Sequence, residues 1–325
     1  MFLLYVVILI LGFVSLIKGA DLFVDGSSAL AKTFHVSGLI IGLTIVAFGT
    51  SAPELAVSTV AAINGSNEIA LSNVVGSNIF NLLCVLGVCA LIHPVPVEAG
   101  INKRDFPLSI LITLFVLFAT SASSVVTGAI LKLDMNKIAG KVSRPVGVIL
   151  LLIFICYIAY LIYDARKHPQ KDEDMDRQPV LKSLCFIIIG IVLIVAGGKA
   201  VVYGAKAIAR TFGMTETLIG LTIVAVGTSL PELVTSIVAA RKGETGLAVG
   251  NVVGSNIFNL MFILGVSSTI HPIYVNVASV WDILILSVVS IVTYIFCNTK
   301  SEINRREGII MLLIYVADVI FAVLR

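Results

Sequence analysis

The chain has 325 residues, 58% hydrophobic and 13% charged, about half the roughly 25% charged residues usual in a soluble domain. A mean hydropathy of +1.07 over 34.5 kDa is more apolar surface than one aqueous core can hide, so the bilayer must solvate most of it and an ordinary soluble enzyme is excluded. The net charge of +3 comes from scattered basic residues, not interleaved with exposed aromatics, which argues against a nucleic-acid partner.

Apolar stretches able to cross about 30 Å of hydrocarbon fall at 2–31, 38–63, 69–92, 106–122, 146–163, 181–209, 216–240, 247–270, 279–297 and 308–324. The sequence therefore predicts an all-α membrane protein with ten transmembrane helices. The first stretch lacks a basic leader and stays apolar through residues 11–30, so it is expected to remain in the mature protein rather than be cleaved as a signal peptide. On alternate sides of this layout, basic residues number thirteen, including Lys103, Arg104, Arg166, Lys167, Arg241 and Lys242, against six, including Lys132, Lys141 and Arg210. The richer side is expected to be cytoplasmic, which places both termini outside and the linker 164–180 inside. The expected location is the cell membrane.

Residues 41–94 realign on 219–272 at a constant offset of 178, with 35 identities in 54 positions. Upstream, Ala31-Lys32-Thr33-Phe34 meets Ala209-Arg210-Thr211-Phe212, so the repeat includes the first and sixth helices. Five helices separate equivalent points. Five is odd, so the two copies must run in opposite directions across the membrane, giving five-helix repeats at 1–163 and 181–325 around an in-plane two-fold axis. Inverted repeats of this kind build secondary transporters, with the site near the midplane. Identity concentrates in the polar segments Gly-Thr-Ser-x-Pro-Glu and Asn-Val-Val-Gly-Ser-Asn-Ile-Phe-Asn, which a purely structural duplication has no reason to keep.

Glu54 and Glu232 each lie more than a helical turn inside an apolar stretch. An ionised carboxylate there is costly unless positive charge sits beside it. The spans that carry the glutamates contain no interior basic residue, and Lys18, Lys199 and Lys206 are better assigned to snorkelling or to pairing with Asp21 and Asp25. A bound cation is the simplest source of the missing charge. Pro53 and Pro231 remove the N–H groups that would bond the Gly49 and Gly227 carbonyls, so the helix should open there and offer the Ala47, Thr50, Ala225 and Thr228 carbonyls inward. Ser77 with Asn81, and Ser255 with Asn259, are four residues apart and share a helix face. With Ser51 and Ser229 added, every side chain offered to the centre is an oxygen donor, which favours hard ions such as Na⁺ or Ca²⁺ over soft metals. Two carboxylates balance one Ca²⁺, whereas Na⁺ must enter in multiples. An empty site would leave two uncompensated charges, so only loaded forms should cross, which is antiport.

At these residues the sequence resembles the calcium/cation antiporter superfamily, and within it the sodium/calcium exchangers. Gly49-Thr50-Ser51-Ala52-Pro53-Glu54 with Gly76-Ser77-Asn78-Ile79-Phe80-Asn81 is similar to the family's first repeat motif. Gly227-Thr228-Ser229-Leu230-Pro231-Glu232 with Gly254-Ser255-Asn256-Ile257-Phe258-Asn259 is similar to its second. The resemblance implies a Ca²⁺ site from Glu54, Glu232 and the Thr50 and Thr228 carbonyls. It implies Na⁺ sites that share the glutamates and add Ser51, Ser77, Ser229, Ser255 and the Ala47 and Ala225 carbonyls, with the first and sixth helices sliding past the core. Several exchangers carry an aspartate at the position of Asn259; here Asn81 and Asn259 are both amides, so the centre has two carboxylates rather than three. Proton- or K⁺-coupled Ca²⁺ antiport and a passive cation channel are the alternatives, and strict dependence of flux on an ion across the membrane separates the last from the rest.

The remaining motifs carry less. Cys84, Cys89, Cys156, Cys185 and Cys297 lack metal-binding spacing and are expected to pack in apolar surroundings. His93-Pro94 and His271-Pro272 are expected to end helices. No nucleophile and base pair points to an enzyme, the acidic linker lacks a calcium-loop pattern, and no prosthetic group is expected. The expected partners are the two transported ions and lipid, with the chain a monomer.

Overall fold

A computed structural model describes residues 2–65, 67–126, 135, 137–169, 179–214 and 225–324. Its helices are α1 (Phe2–Phe34), α2 (Gly38–Thr50), α3 (Ala52–Ile63), α4 (Ile69–Ile92), α5 (Ile101–Ser121), α6 (Arg144–Lys167), α7 (Val180–Thr211), α8 (Ala225–Thr228), α9 (Leu230–Arg241), α10 (Thr245–Ile270), α11 (Val277–Asn298) and α12 (Arg305–Leu324). Among the described residues, eight helices are long and apolar enough to cross a bilayer, and the bent α2–α3 pair makes a ninth span. The expected tenth, 216–240, begins outside the described residues; its described part is α8 and α9.

Four short strands depart from the all-α expectation: β1 (Val95–Pro96), β2 (Ile138–Val142), β3 (Ile273–Asn276) and β4 (Glu302–Ile303). They pair antiparallel as β1–β4 and β2–β3. The strands follow from the His-Pro turns. His93 and His271 cap α4 and α10 in extended conformation, as the sequence predicts for helix ends. The chain beyond each proline cannot continue the helix, and its backbone groups find partners in a segment from the other half of the sequence.

The chain forms two compact units, each drawn from both halves of the sequence: Met1–Pro53 with Ile162–Gly254, and Glu54–Leu161 with Ser255–Arg325. In the first, α1 and α7 run antiparallel with their backbones in contact. A Cβ on Gly12 would stand 3.0 Å from the Gly197 carbonyl oxygen, and one on Gly19 would stand 2.9 Å from that of Gly190. Gly12, Gly19 and Gly26 recur every seven residues, as do Gly190, Gly197 and Gly204, so each helix presents one bare stripe to its partner. Ser15 Oγ donates across the seam to the Leu193 carbonyl at 2.9 Å. Residues 15 and 193 are themselves repeat equivalents. The first half of α10 crosses α2 just as closely at Gly42, Gly250 and Gly254.

Lys242, after α9, bonds Asp25 at 2.7 Å and lies 3.4 Å from Asp21, while Ser28 donates to Glu244. The expected pairing of these aspartates with Lys18, Lys199 or Lys206 is therefore corrected: the α9–α10 turn delivers Lys242 to the acidic face of α1, a contact that distance in sequence concealed. Lys18 and Lys199 are exposed, as snorkelling side chains should be.

In the second unit, α4 packs on α12 where Gly87 meets Gly308, and α6 packs on the second half of α10 where Gly147 meets Gly265. Rings of Phe80 and Tyr315 meet edge to face, and Phe154, Phe258 and Phe262 cluster between α6 and α10. Buried Asp105 accepts hydrogen bonds from Arg104 at 2.7 Å and Tyr157 at 3.0 Å, so this buried acid is neutralised by a cation of its own chain. Of the apolar window in α10, 94% is buried, against 17% in α1 and α12. Polar side chains on α10 therefore face protein rather than lipid.

Candidate functional site

The helix breaks stand two residues beyond the expected glycines. Gly49 stays within α2, and the chain bends by 51° at Ser51. Pro53 supplies no N–H to the Gly49 carbonyl, but Ser51 N–H still reaches the Ala47 carbonyl at 3.0 Å, so helical geometry persists to Thr50. The Ala47 carbonyl is thus engaged rather than freed, and further coordination there must use its other lone pair. Ser51 has φ −83° and ψ 10°, and Ser229, between α8 and α9, has φ −91° and ψ 6°. Both repeats therefore place the same serine in the sparsely populated bridge region, where residues of active sites collect.

Each break starts a new helix with a glutamate in its first turn, Glu54 in α3 and Glu232 in α9, both fully buried. A helix N-terminus favours an anion by about 0.3–1 kcal/mol, up to about 2. Burying an ionised carboxylate costs several kcal/mol. The dipole alone does not cover the cost.

In the first unit, Ser51 Oγ donates to Glu232 Oε1 at 2.8 Å, while Glu232 Oε2 has no hydrogen-bond partner among the described residues. Thr50 Oγ1 lies 2.9 Å from Asn251 Oδ1, and Asn251 Nδ2 donates to Ser236 Oγ at 2.9 Å and to the Glu232 carbonyl at 3.4 Å. Asn251 thereby ties the end of α2 to the first turns of α9. The second unit repeats half of this clasp, with Asn73 Nδ2 donating to Ser58 Oγ at 2.9 Å and to the Glu54 carbonyl at 3.2 Å. All three residues of each clasp match at the offset of 178. Replacing Asn251 by alanine strips three buried groups of a partner, and should lower stability by about 1–3 kcal/mol, read as a fall in the Tm of the detergent-purified protein.

The second unit also joins the expected amides. Asn78 and Asn256 exchange bonds, each Nδ2 donating to the other's backbone carbonyl at 3.2 Å. Asn81 Nδ2 donates to Asn256 Oδ1 at 3.1 Å and Asn259 Nδ2 to Asn78 Oδ1 at 3.0 Å. Asn81 Oδ1, Asn259 Oδ1 and Ser255 Oγ are buried with no hydrogen-bond partner among the described residues. A π turn begins at Asn81, and the matching one spans Phe258–Ile263 around Asn259; such turns cluster at functional sites.

The expected residues are otherwise placed as follows. Ala47, Thr50, Ser51, Ser77, Ser229 and Ser255 are buried, and Thr228 is half-buried at the end of α8, whose first residue is Ala225. Among the described residues no three His, Cys, Asp or Glu side chains cluster as a metal site. Any cation here relies on hydroxyl, amide and backbone oxygens as well as carboxylates, the donor set of hard ions. Asn73, Asn78, Asn251 and Asn256 did not enter the expected set. Their retention in both copies of the Asn-Val-Val-Gly-Ser-Asn-Ile-Phe-Asn segment was the signal that could have found them.

Helices of this apolarity, with acids and amides buried inside them, define a multi-pass membrane transport protein. The family model for the sodium/calcium exchanger protein matches residues 4–163 and 182–324. The chain is 35% identical to sodium/calcium exchanger MaX1 of Methanosarcina acetivorans, over 95% of this chain and 96% of that one. It is 34% identical to inner membrane protein YrbG of Escherichia coli, over 94% and 92%. A solved structure of the sodium-calcium exchanger NCX_Mj superposes with a TM-score of 0.82 at 33% identity, covering 100% of both chains. The chain therefore belongs to the sodium/calcium exchanger family, in the calcium/cation antiporter superfamily, and is an integral membrane transporter rather than an enzyme.

Proposed function

We propose that this protein exchanges Ca²⁺ for Na⁺ by alternating access, with ions held by Glu54 and Glu232 and by oxygens of Ala47, Thr50, Ser51, Ser77, Asn81, Ala225, Thr228, Ser229, Ser255 and Asn259. One observation carries the reading: the Asn81 and Asn259 side-chain oxygens are buried and have no hydrogen-bond partner among the described residues, while their nitrogens are spent on other amides. A buried acceptor without a donor is unfavourable, and a hard cation relieves it. The bare Oε2 of Glu232 supports the same reading, as do the family and the names of the relatives.

Ten helices in two inverted repeats, 1–163 and 181–325, follow from the 178-residue offset and the odd number of spans between equivalents. The inverted geometry lets one site open to either side. Two carboxylates are neutral with one Ca²⁺ or two Na⁺ and costly to carry empty, which couples the two fluxes. The distribution of basic residues supports a cytoplasmic 164–180 linker and external termini in the cell membrane.

The test is ⁴⁵Ca²⁺ uptake by proteoliposomes under Na⁺, H⁺ or K⁺ gradients. Uptake should follow the outward Na⁺ gradient and stop without internal Na⁺. Uptake with no counter-ion would establish a channel, and uptake driven by H⁺ or K⁺ alone would overturn Na⁺ coupling.

A further inference from the structure

Asn78 and Asn256 have no place among the ion-binding residues, although both are buried on the same helices as Asn81 and Asn259. Their hydrogen bonds form a closed set whose sense is forced. A backbone carbonyl can only accept. Because Asn78 Nδ2 reaches the Asn256 carbonyl and Asn256 Nδ2 reaches the Asn78 carbonyl, neither amide can flip without setting oxygen against oxygen. Their Oδ1 atoms are then fixed toward Asn259 and Asn81. An Oδ1 demands a donor, so each of those residues must turn its Nδ2 inward to the brace and its Oδ1 away. The two oxygens so presented have no hydrogen-bond partner among the described residues.

We propose that Asn78 and Asn256 are positioning residues that dictate which atom of Asn259 and Asn81 meets the transported cation. Without the brace, either amide could rotate and offer N–H, which repels a cation. This inference rests on the Na⁺/Ca²⁺ exchange reading, and each brace residue acts on the ligand of the opposite repeat. Loss of Asn78 therefore disables Asn259, and loss of Asn256 disables Asn81.

The test uses N78L, N256L, N259L and N78L/N259L in the full chain, with N78A and N256A carrying the same comparison should a leucine variant fail to fold. Two quantities are read: the KM for Ca²⁺ in proteoliposome uptake and the rise in Tm that Ca²⁺ produces in detergent. The brace variants should raise KM by about 10–100-fold, the range for residues that orient metal ligands, with the saturating rate largely kept. The Ca²⁺-dependent rise in Tm should vanish at the concentration that suffices for the parent. Adding N78L to N259L should change KM little further, since both act through one oxygen. Unchanged KM and Ca²⁺ response in the brace variants, a fall only in Tm without Ca²⁺, or full additivity with N259L would each overturn the brace while leaving exchange intact. A parent protein that neither takes up Ca²⁺ nor is stabilised by it would overturn the exchange reading and the brace with it.

Discussion

Replacing Glu54 or Glu232 by glutamine should reduce Na⁺-driven Ca²⁺ uptake by about 100-fold or more at any Ca²⁺ concentration near the parent's KM. Glutamine keeps the size and one carbonyl oxygen but removes the charge. A loaded site that is neutral with two carboxylates and one Ca²⁺ then carries a net positive charge in a low-dielectric interior. Removing one partner of a buried charge pair costs about 3–5 kcal/mol, and each 1.4 kcal/mol is about tenfold in affinity. For Glu232 the substitution also replaces an acceptor by a possible donor opposite Ser51 Oγ, now 2.8 Å away. Stability without Ca²⁺ should be kept or improved, since a charge is removed from a buried position, so the loss of uptake should come without a fall in Tm. Normal uptake by either variant would refute the assignment of that glutamate.

The second large effect is expected from one methyl group. Gly254→Ala places a Cβ 2.7 Å from Leu43 Cα, 2.9 Å from Ala47 Cβ and 2.9 Å from the Leu43 carbonyl oxygen. These are backbone atoms or a side chain that cannot rotate away, so α10 must move from α2. Overpacking of this kind typically costs about 1–3 kcal/mol, read as a lowered Tm in detergent. The consequence for transport is larger. The displaced stretch of α2 contains Ala47, whose carbonyl holds the Ser51 N–H, and Ser51 in turn bonds Glu232. The next residue along α10 is Ser255, whose hydroxyl is buried and without a hydrogen-bond partner among the described residues. Loss of supporting contacts around ion ligands costs about 10–100-fold in affinity, and a comparable rise in the KM for Ca²⁺ is expected. A variant with unchanged Tm and KM would show that the crossing yields more readily than the contact distances imply.

The residues that speak for cation exchange were readable because their signals are local or periodic. An acid far inside an apolar run, a proline one residue before it, and a repeat at a fixed offset need no knowledge of which helices meet. Glu54 and Glu232 are buried, and Ser51 and Ser229 mark the two breaks. Even so, the position of the break shifted, because losing the bond at proline does not stop Ser51 N–H from completing the turn before it.

What depended on distant parts of the chain was not readable. Gly12 and Gly190 sit in apolar runs where a glycine every seventh residue could equally face lipid, and only the packed α1–α7 pair shows that a side chain there would strike backbone. Lys242 is 217 residues from the aspartate it bonds. Asn78, Asn81, Asn256 and Asn259 are one residue type at one spacing in both copies. Nothing in that spacing says which amides brace and which are left with a bare oxygen. Composition and the repeat offset determined that this chain is a duplicated, membrane-embedded protein with a matched pair of buried acids, since hydrophobicity and charge burial act residue by residue. Tertiary structure alone decided the direction of each amide, since a hydrogen bond has a sense only once both of its partners are in place.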